Sequence, residues 1–288
     1  MKSKFFNCIE FKRAEKLIET NPVVAKEAFE DYIEKYPEDY NALYMYAYVL
    51  LILKDLKGAK KIVEEAKSLY IRDSHFFKTN SKMEWVTYNS KLINIRILAR
   101  EGKYQELKDY YDEIKYTHSF ERLDTIEDIC NIKLGLDVDI SNRPYYYKQI
   151  KSYSDEDFYY HVLRHTADYN RELTIPKKSF FSPNFNLEEV IKEVKNIIPN
   201  EKGLGYGFFE DTYVFRYDNC GRNNNKIQDY FKVISFTDTN NLLTMFPASG
   251  SKNLPSIDLN HLNKNKDKKI IIISPIDKFN KKYKLTNE

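Results

Sequence analysis

A 34-residue spacing constrains this chain more than any other feature of it. Ala25, Phe29 and Tyr32, followed by Pro37, recur in character as Ala59, Val63 and Ala66, followed by Ile71, each 34 positions later. Offsets of zero, four and seven fall on one face of a helix, so each copy reads as a helix with an apolar packing stripe that only a neighbouring unit can cover. A third copy is legible with an insertion. Gly102-Lys103-Tyr104-Gln105-Glu106-Leu107 reads as a turn into a helix, with Tyr111 and Ile114 at the same offsets. Leu107 lies 48 positions after Ala59, so 14 residues are added beyond the period. The pattern places them near Ile71–Ser81 and in a long helix carrying Trp85, Tyr88 and Leu92. A further helix over about 121–135 closes the array.

Over residues 6–116 these positions resemble tetratricopeptide repeats. The resemblance implies stacked helical hairpins with a concave surface that binds a peptide or another protein; the alternative is a purely structural array packed on the next domain. Residues 136–153 break the pattern at Asn142-Arg143-Pro144 and the aromatic run Tyr145-Tyr146-Tyr147. The expected organisation is therefore a helical-repeat domain at 1–150, a small mixed domain at 151–250, and a basic tail at 251–288.

The tail carries nine lysines against Asp258, Asp267, Asp277 and Glu288, although the whole chain is only +3. Its run Lys268–Ile273 has the character of an extra strand, and its lysines suit phosphates. The three cysteines, Cys8, Cys130 and Cys220, are odd in number and widely spaced, which fits reduced thiols better than a disulfide framework. The first ten residues lack the apolar core of a signal peptide, and Tyr44–Leu53 is too short to span a bilayer. A cytoplasmic protein with no membrane partner is the expectation.

Residues 154–250 read as helix, helix, then an antiparallel meander, so the chain as a whole is expected to be α+β. Ser154 with Asp155, Glu156 and Asp157 starts a helix running to about Tyr169. After a loop with Ser179-Phe180-Phe181, Asn186 caps a second helix, with Glu189 placed for a capping box and an apolar stripe from Leu187 to Ile198. Pro199 ends it. Gly203, Gly205 and Gly207 lack the strand-to-helix context of a phosphate loop and read as a turn into the sheet. Strands are expected at 208–217, 227–237 and 242–247, joined by loops at 219–226 and 238–241.

Two of the five histidines, His161 and His165, stand four apart on the first of these helices, with Arg164 beside them. Spacing alone leaves three readings open: ordinary interhelix histidines, a metal pair, or acid–base groups. The metal reading lacks an accompanying His-Glu-x-x-His glutamate or cysteine cluster. Alternation groups Thr212, Val214 and Arg216 on one strand face, Tyr230, Lys232 and Ile234 on the next, and Leu242, Thr244 and Phe246 on the last.

The His-x-x-x-His helix, the Ser-Phe-Phe loop, the amphipathic helix and a meander ending in Leu-Leu-Thr-Met-Phe-Pro together resemble the phage-associated branch of the barnase–EndoU–colicin–RelE ribonuclease fold, over residues 155–248. The resemblance implies a toxin-like or phage-encoded RNA endonuclease that uses no metal or other cofactor, with an inhibitor protein as a possible partner. It puts His161 or His165 in the general acid or base role and Thr244 at the scissile phosphate. Arg216 and Lys232 are the candidates for the basic group of the middle strands, where the family varies. Arg164 would add charge at the rim, and Tyr206, Tyr213 and Tyr230 would stack on unpaired bases. The competing expectation is a non-enzymatic adaptor whose ribonuclease-like domain has lost catalysis.

Overall fold

The computed structural model describes residues 8–74, 80–115, 124–141, 145–166, 179–248 and 253–265. The protein is α+β: an N-terminal helical array precedes an antiparallel sheet. It divides into two compact units, one formed by residues 1–134 with Leu204–Phe209, the other by residues 135–203 and 210–288. This differs from a boundary near residue 150. The segment 135–150 contributes to the second unit, and a short stretch far along the chain returns to the first.

The first unit holds α1 (Ile9–Leu17), α2 (Pro22–Lys35), α3 (Tyr40–Ile52), α4 (Leu56–Ser74), α5 (Asn80–Arg100), α6 (Tyr104–Ile114) and α7 (Asp124–Lys133). Local chemistry sets their ends. Asn21 accepts a hydrogen bond from the Val24 amide, with Pro22 in the first helical position, where its missing N–H costs nothing. Asp39 caps α3 by accepting from the amides of Asn41 and Ala42, and also accepts from the buried Tyr32 hydroxyl at 3.0 Å. Gly102, at a φ of 67°, ends α5 in the left-handed conformation that glycine adopts without strain. All nine spaced positions, Ala25, Phe29, Tyr32, Ala59, Val63, Ala66, Leu107, Tyr111 and Ile114, are buried. The inserted length lies in two long helices, α4 and α5, and the stretch between them.

Leu204–Phe209 lies against this array. The Gly205 amide donates to the Ile52 carbonyl at the end of α3, and the Tyr206 hydroxyl donates to the Ile18 and Glu19 carbonyls just past α1. Arg96 and Arg100 of α5 donate to the carbonyls of Tyr206 and Gly207. The expected turn at these glycines is thus a docked segment.

The second unit starts with α8 (Tyr145–Lys151) and α9 (Asp155–Leu163), then β1 (Ser179–Phe181) and α10 (Leu187–Ile197). The sheet continues through β2 (Glu210–Asn223), β3 (Lys226–Phe236), β4 (Leu242–Pro247) and β5 (Ile257–Asp258). Strand order is β1-β2-β3-β4, all antiparallel, with β5 pairing parallel to β2. Ser154 caps α9 and Asn186 caps α10 through their side-chain oxygens. Phe158, Val162 and Leu163 of α9, the stripe Leu187, Val190, Ile191 and Val194 of α10, and the inner sheet face form one core.

Three features depart from the sequence reading. α9 ends at Leu163, because Thr166 bridges in parallel to Phe181 and the His165 carbonyl accepts from the Phe181 amide. The rest of the expected helix, to Tyr169, lies outside the described residues, as does Lys268–Ile273. Ser179-Phe180-Phe181 is a strand rather than a loop, paired to residues 221–223 of β2. The expected loop 219–226 shrinks to a two-residue turn, since Asn224 and Asn225, at φ 47° and 64°, satisfy the left-handed hairpin geometry. A bulge between Arg216 and Gly221, with Asn219 at a φ of 57°, absorbs the remaining residues.

Candidate active site of the second unit

The α9 terminus and the outer face of the sheet bring together most of the polar residues singled out above. His161 closes the last turn of α9, and its ring stacks flat on Tyr145, the first residue of α8, with centroids 4.3 Å apart and planes within 2°. Burial raises the Tyr145 phenol well above its ordinary pKa and keeps it neutral. One turn on, the ring of His165 lies 6.2 Å from that of His161, edge to face.

His165 Nδ1 is 3.0 Å from the Ser179 carbonyl oxygen. A carbonyl only accepts, so Nδ1 carries the proton in this contact, and in the neutral ring Nε2 carries the lone pair. The strand β1 thereby sets the tautomer of the histidine. On the sheet side, the His165 ring lies 6.1 Å from that of Phe246.

Phe246 stands opposite Lys232, Thr244 opposite Ile234, and Arg216 opposite Tyr230. Alternation therefore puts Arg216, Tyr230, Lys232, Thr244 and Phe246 on one face, the reverse of the face whose Phe215, Phe231, Val233 and Met245 enter the core. Tyr230, Lys232, Thr244 and Phe246 are half-buried and Arg216 is exposed. Arg216 pairs with Asp218 at 3.4 Å on the surface, an interaction of little energetic weight.

Arg164 follows α9 directly and is 6% exposed. Among the described residues no carboxylate lies within ion-pair distance of it and its Nε has no hydrogen-bond partner, while burial lowers its pKa. A buried cation with no local counter-charge favours an anion.

Two expected contributors stand elsewhere. Tyr213 is 4% exposed and belongs to the core, so its ring is not presented to a base. Tyr206 belongs to the first unit, where its hydroxyl is bonded to the end of α1. Two residues not singled out by role complete the geometry. Phe246 links His165 to Lys232 and was legible from its alternation with Thr244, whereas Tyr145 has no sequence signal tying it to His161, because their stacking is a tertiary contact.

Among the described residues no group of three or more His, Cys, Asp or Glu side chains is arranged to hold a metal ion, and no helix is long and apolar enough to cross a membrane. None of the protein-family models, curated proteins or solved structures compared with the chain matches it.

Proposed function

We propose that the second unit is a metal-independent RNA endonuclease, and that the tetratricopeptide-like array binds a protein partner or positions the substrate. The observation that carries this reading is the contact of His165 Nδ1 with the Ser179 carbonyl, which turns the basic Nε2 into a defined proton acceptor beside Phe246 and Lys232. In this mechanism Nε2 takes the proton from a ribose 2′-OH, whose oxygen attacks the adjacent phosphorus. The 5′-oxygen leaves with a proton from a second group, for which His161 is the candidate at 6.2 Å between rings. Lys232 and Arg216, with the Thr244 hydroxyl as donor, stabilise the charged phosphorane, and Arg164 adds attraction for the phosphate. Tyr230 is the base-stacking candidate that remains on this face.

The toxin-like or phage-effector role and an inhibitor partner belong to this proposal. So does a cytoplasmic setting, which suits Cys8, Cys130 and Cys220, all free thiols. The second reading, a protein-binding adaptor without catalysis, is favoured by the Tyr145 ring that covers one face of His161 and by the Asp218 partner of Arg216.

The test is incubation with end-labelled total RNA in EDTA, beside His165→Ala and the His161→Ala/His165→Ala double variant. Fragments with 2′,3′-cyclic phosphate ends that vanish in the variants support the endonuclease. Intact RNA with folded wild-type protein supports the adaptor.

A further inference from the structure

Leu204–Phe209 touches the array in the way a bound peptide would, through its main chain. Two consecutive carbonyls, those of Tyr206 and Gly207, accept from Arg96 and Arg100, which stand four apart on one face of α5. The Arg96 guanidinium also lies 4.4 Å from the Phe208 ring centroid and 4.8 Å from that of Tyr48 on α3. The Gly205 amide and the Tyr206 hydroxyl donate to carbonyls at the C-terminal ends of α3 and α1, groups that a helix leaves without internal partners. Phe209 stacks on Tyr104 at the start of α6.

The fit is close at Gly205. A Cβ there would lie 2.8 Å from both Arg100 Cζ and the Leu51 carbonyl oxygen. No left-handed φ is involved at Gly205, so glycine is demanded by approach to the array and not by backbone conformation. Gly205 therefore keeps the chain thin where it lies on α3 and α5.

We infer that α1, α3 and α5 form a peptide-binding surface for an extended strand with glycine–aromatic alternation, and that the chain's own Leu204–Phe209 occupies it as an internal ligand. Release of the segment uncovers Arg96, Arg100 and two helix-end carbonyl sets. These groups read main-chain atoms, so a second peptide of the same pattern competes for the surface. The inference concerns the first unit alone and does not depend on ribonuclease activity.

The probe is a fluorescein-labelled synthetic peptide with the sequence of residues 201–211, titrated by anisotropy into the full-length protein. Proteins compared are the wild type, Tyr206→Phe, the double variant Tyr206→Ala/Phe209→Ala, and that double variant with Arg96→Ala added. Weakening the internal ligand raises the competent fraction, so the double variant binds the peptide at least about tenfold more tightly than wild type, with Tyr206→Phe in between. Adding Arg96→Ala abolishes binding, and a peptide of the same composition in scrambled order binds none of them. Equal binding by wild type and the Tyr206 variants overturns internal occupation. No binding by variants whose helical circular dichroism matches wild type overturns the peptide surface itself. If the double variant does not fold, Tyr206→Phe, which loses only a hydroxyl, decides by the same comparison with wild type.

Discussion

His165 Nδ1 and the Ser179 carbonyl oxygen, fourteen residues apart in sequence, lie 3.0 Å from each other. The contact exists because the chain returns as β1 beside the end of α9, where Thr166 bridges to Phe181. Under the proposed reaction this contact holds one nitrogen in a fixed protonation state and gives the other the role of base.

Replacing His165 with alanine should lower RNA cleavage by about 10²–10⁴-fold, the usual contribution of a positioned acid–base group. Loss of the hydrogen bond to Ser179 should itself cost about 0.5–1.5 kcal/mol of stability. Initial cleavage rates beside thermal melts check both. A large loss of stability with activity retained per folded molecule would sink the assignment.

Gly221→Ala should cost about 1–3 kcal/mol, in the range of core overpacking. A Cβ at this position would lie 2.3 Å from the Phe180 carbonyl oxygen and 2.9 Å from Phe181 Cα, so β1 must move away from β2. Urea unfolding measures the cost. Because Ser179 belongs to the same strand, the variant should also lower RNA cleavage relative to wild type at equal folded concentration.

Cys130 and Cys220 are fully buried, and burial pushes the Cys130 thiol up to about 12 and the Cys220 thiol higher still. Cys8 is only half-buried. Titration with Ellman's reagent in the native state at neutral pH should therefore release about one equivalent quickly, and about three in guanidinium, since reactivity follows thiolate and access. Fast reaction of three thiols in the folded protein would contradict the packing of both cores.

The Asp155 carboxyl is pulled two ways: burial raises its pKa, while hydrogen bonds from Lys195, at 2.5 Å, and Tyr153 lower it, and the net direction is down. A depressed carboxylate contributes stability that is present above the ordinary aspartate value of 3.8 and is lost as pH falls through the folded value below it. Both partners are substantially exposed, so Lys195→Met should cost only about 0.2–1 kcal/mol at neutral pH. The deficit should shrink as pH drops below about 4, read from urea midpoints across pH. A pH-independent difference would assign the effect to packing of the lysine stem.

Much of the fold was legible because it rests on interactions within a few residues. Ser154 and Asn186 cap helices, as expected, through amides three positions on. The 34-residue stripe marks positions that are all buried, and β4 runs over the span expected for it, Leu242–Pro247. His161 and His165 were singled out by their spacing of four, but α9 ends at Leu163, so the 6.2 Å between their rings is set by the turn that leads to β1 and not by the helix.

What the sequence by itself determined, then, is periodicity: which residues share a helix face or a strand face, and where side chains cap or turn the backbone. Alternation separates Tyr213 from Arg216, but only packing against α9 and α10 decides that the Tyr213 face is the core and that Arg216 is exposed. Tertiary structure alone decided that Ser179-Phe180-Phe181 pairs with β2 and orients His165, that Tyr145 stacks on His161, and that Leu204–Phe209 lies on the array. The physical reason is range. Caps and stripes are set by near neighbours along the chain, whereas these contacts join segments whose meeting depends on the free energy of burying whole faces at once.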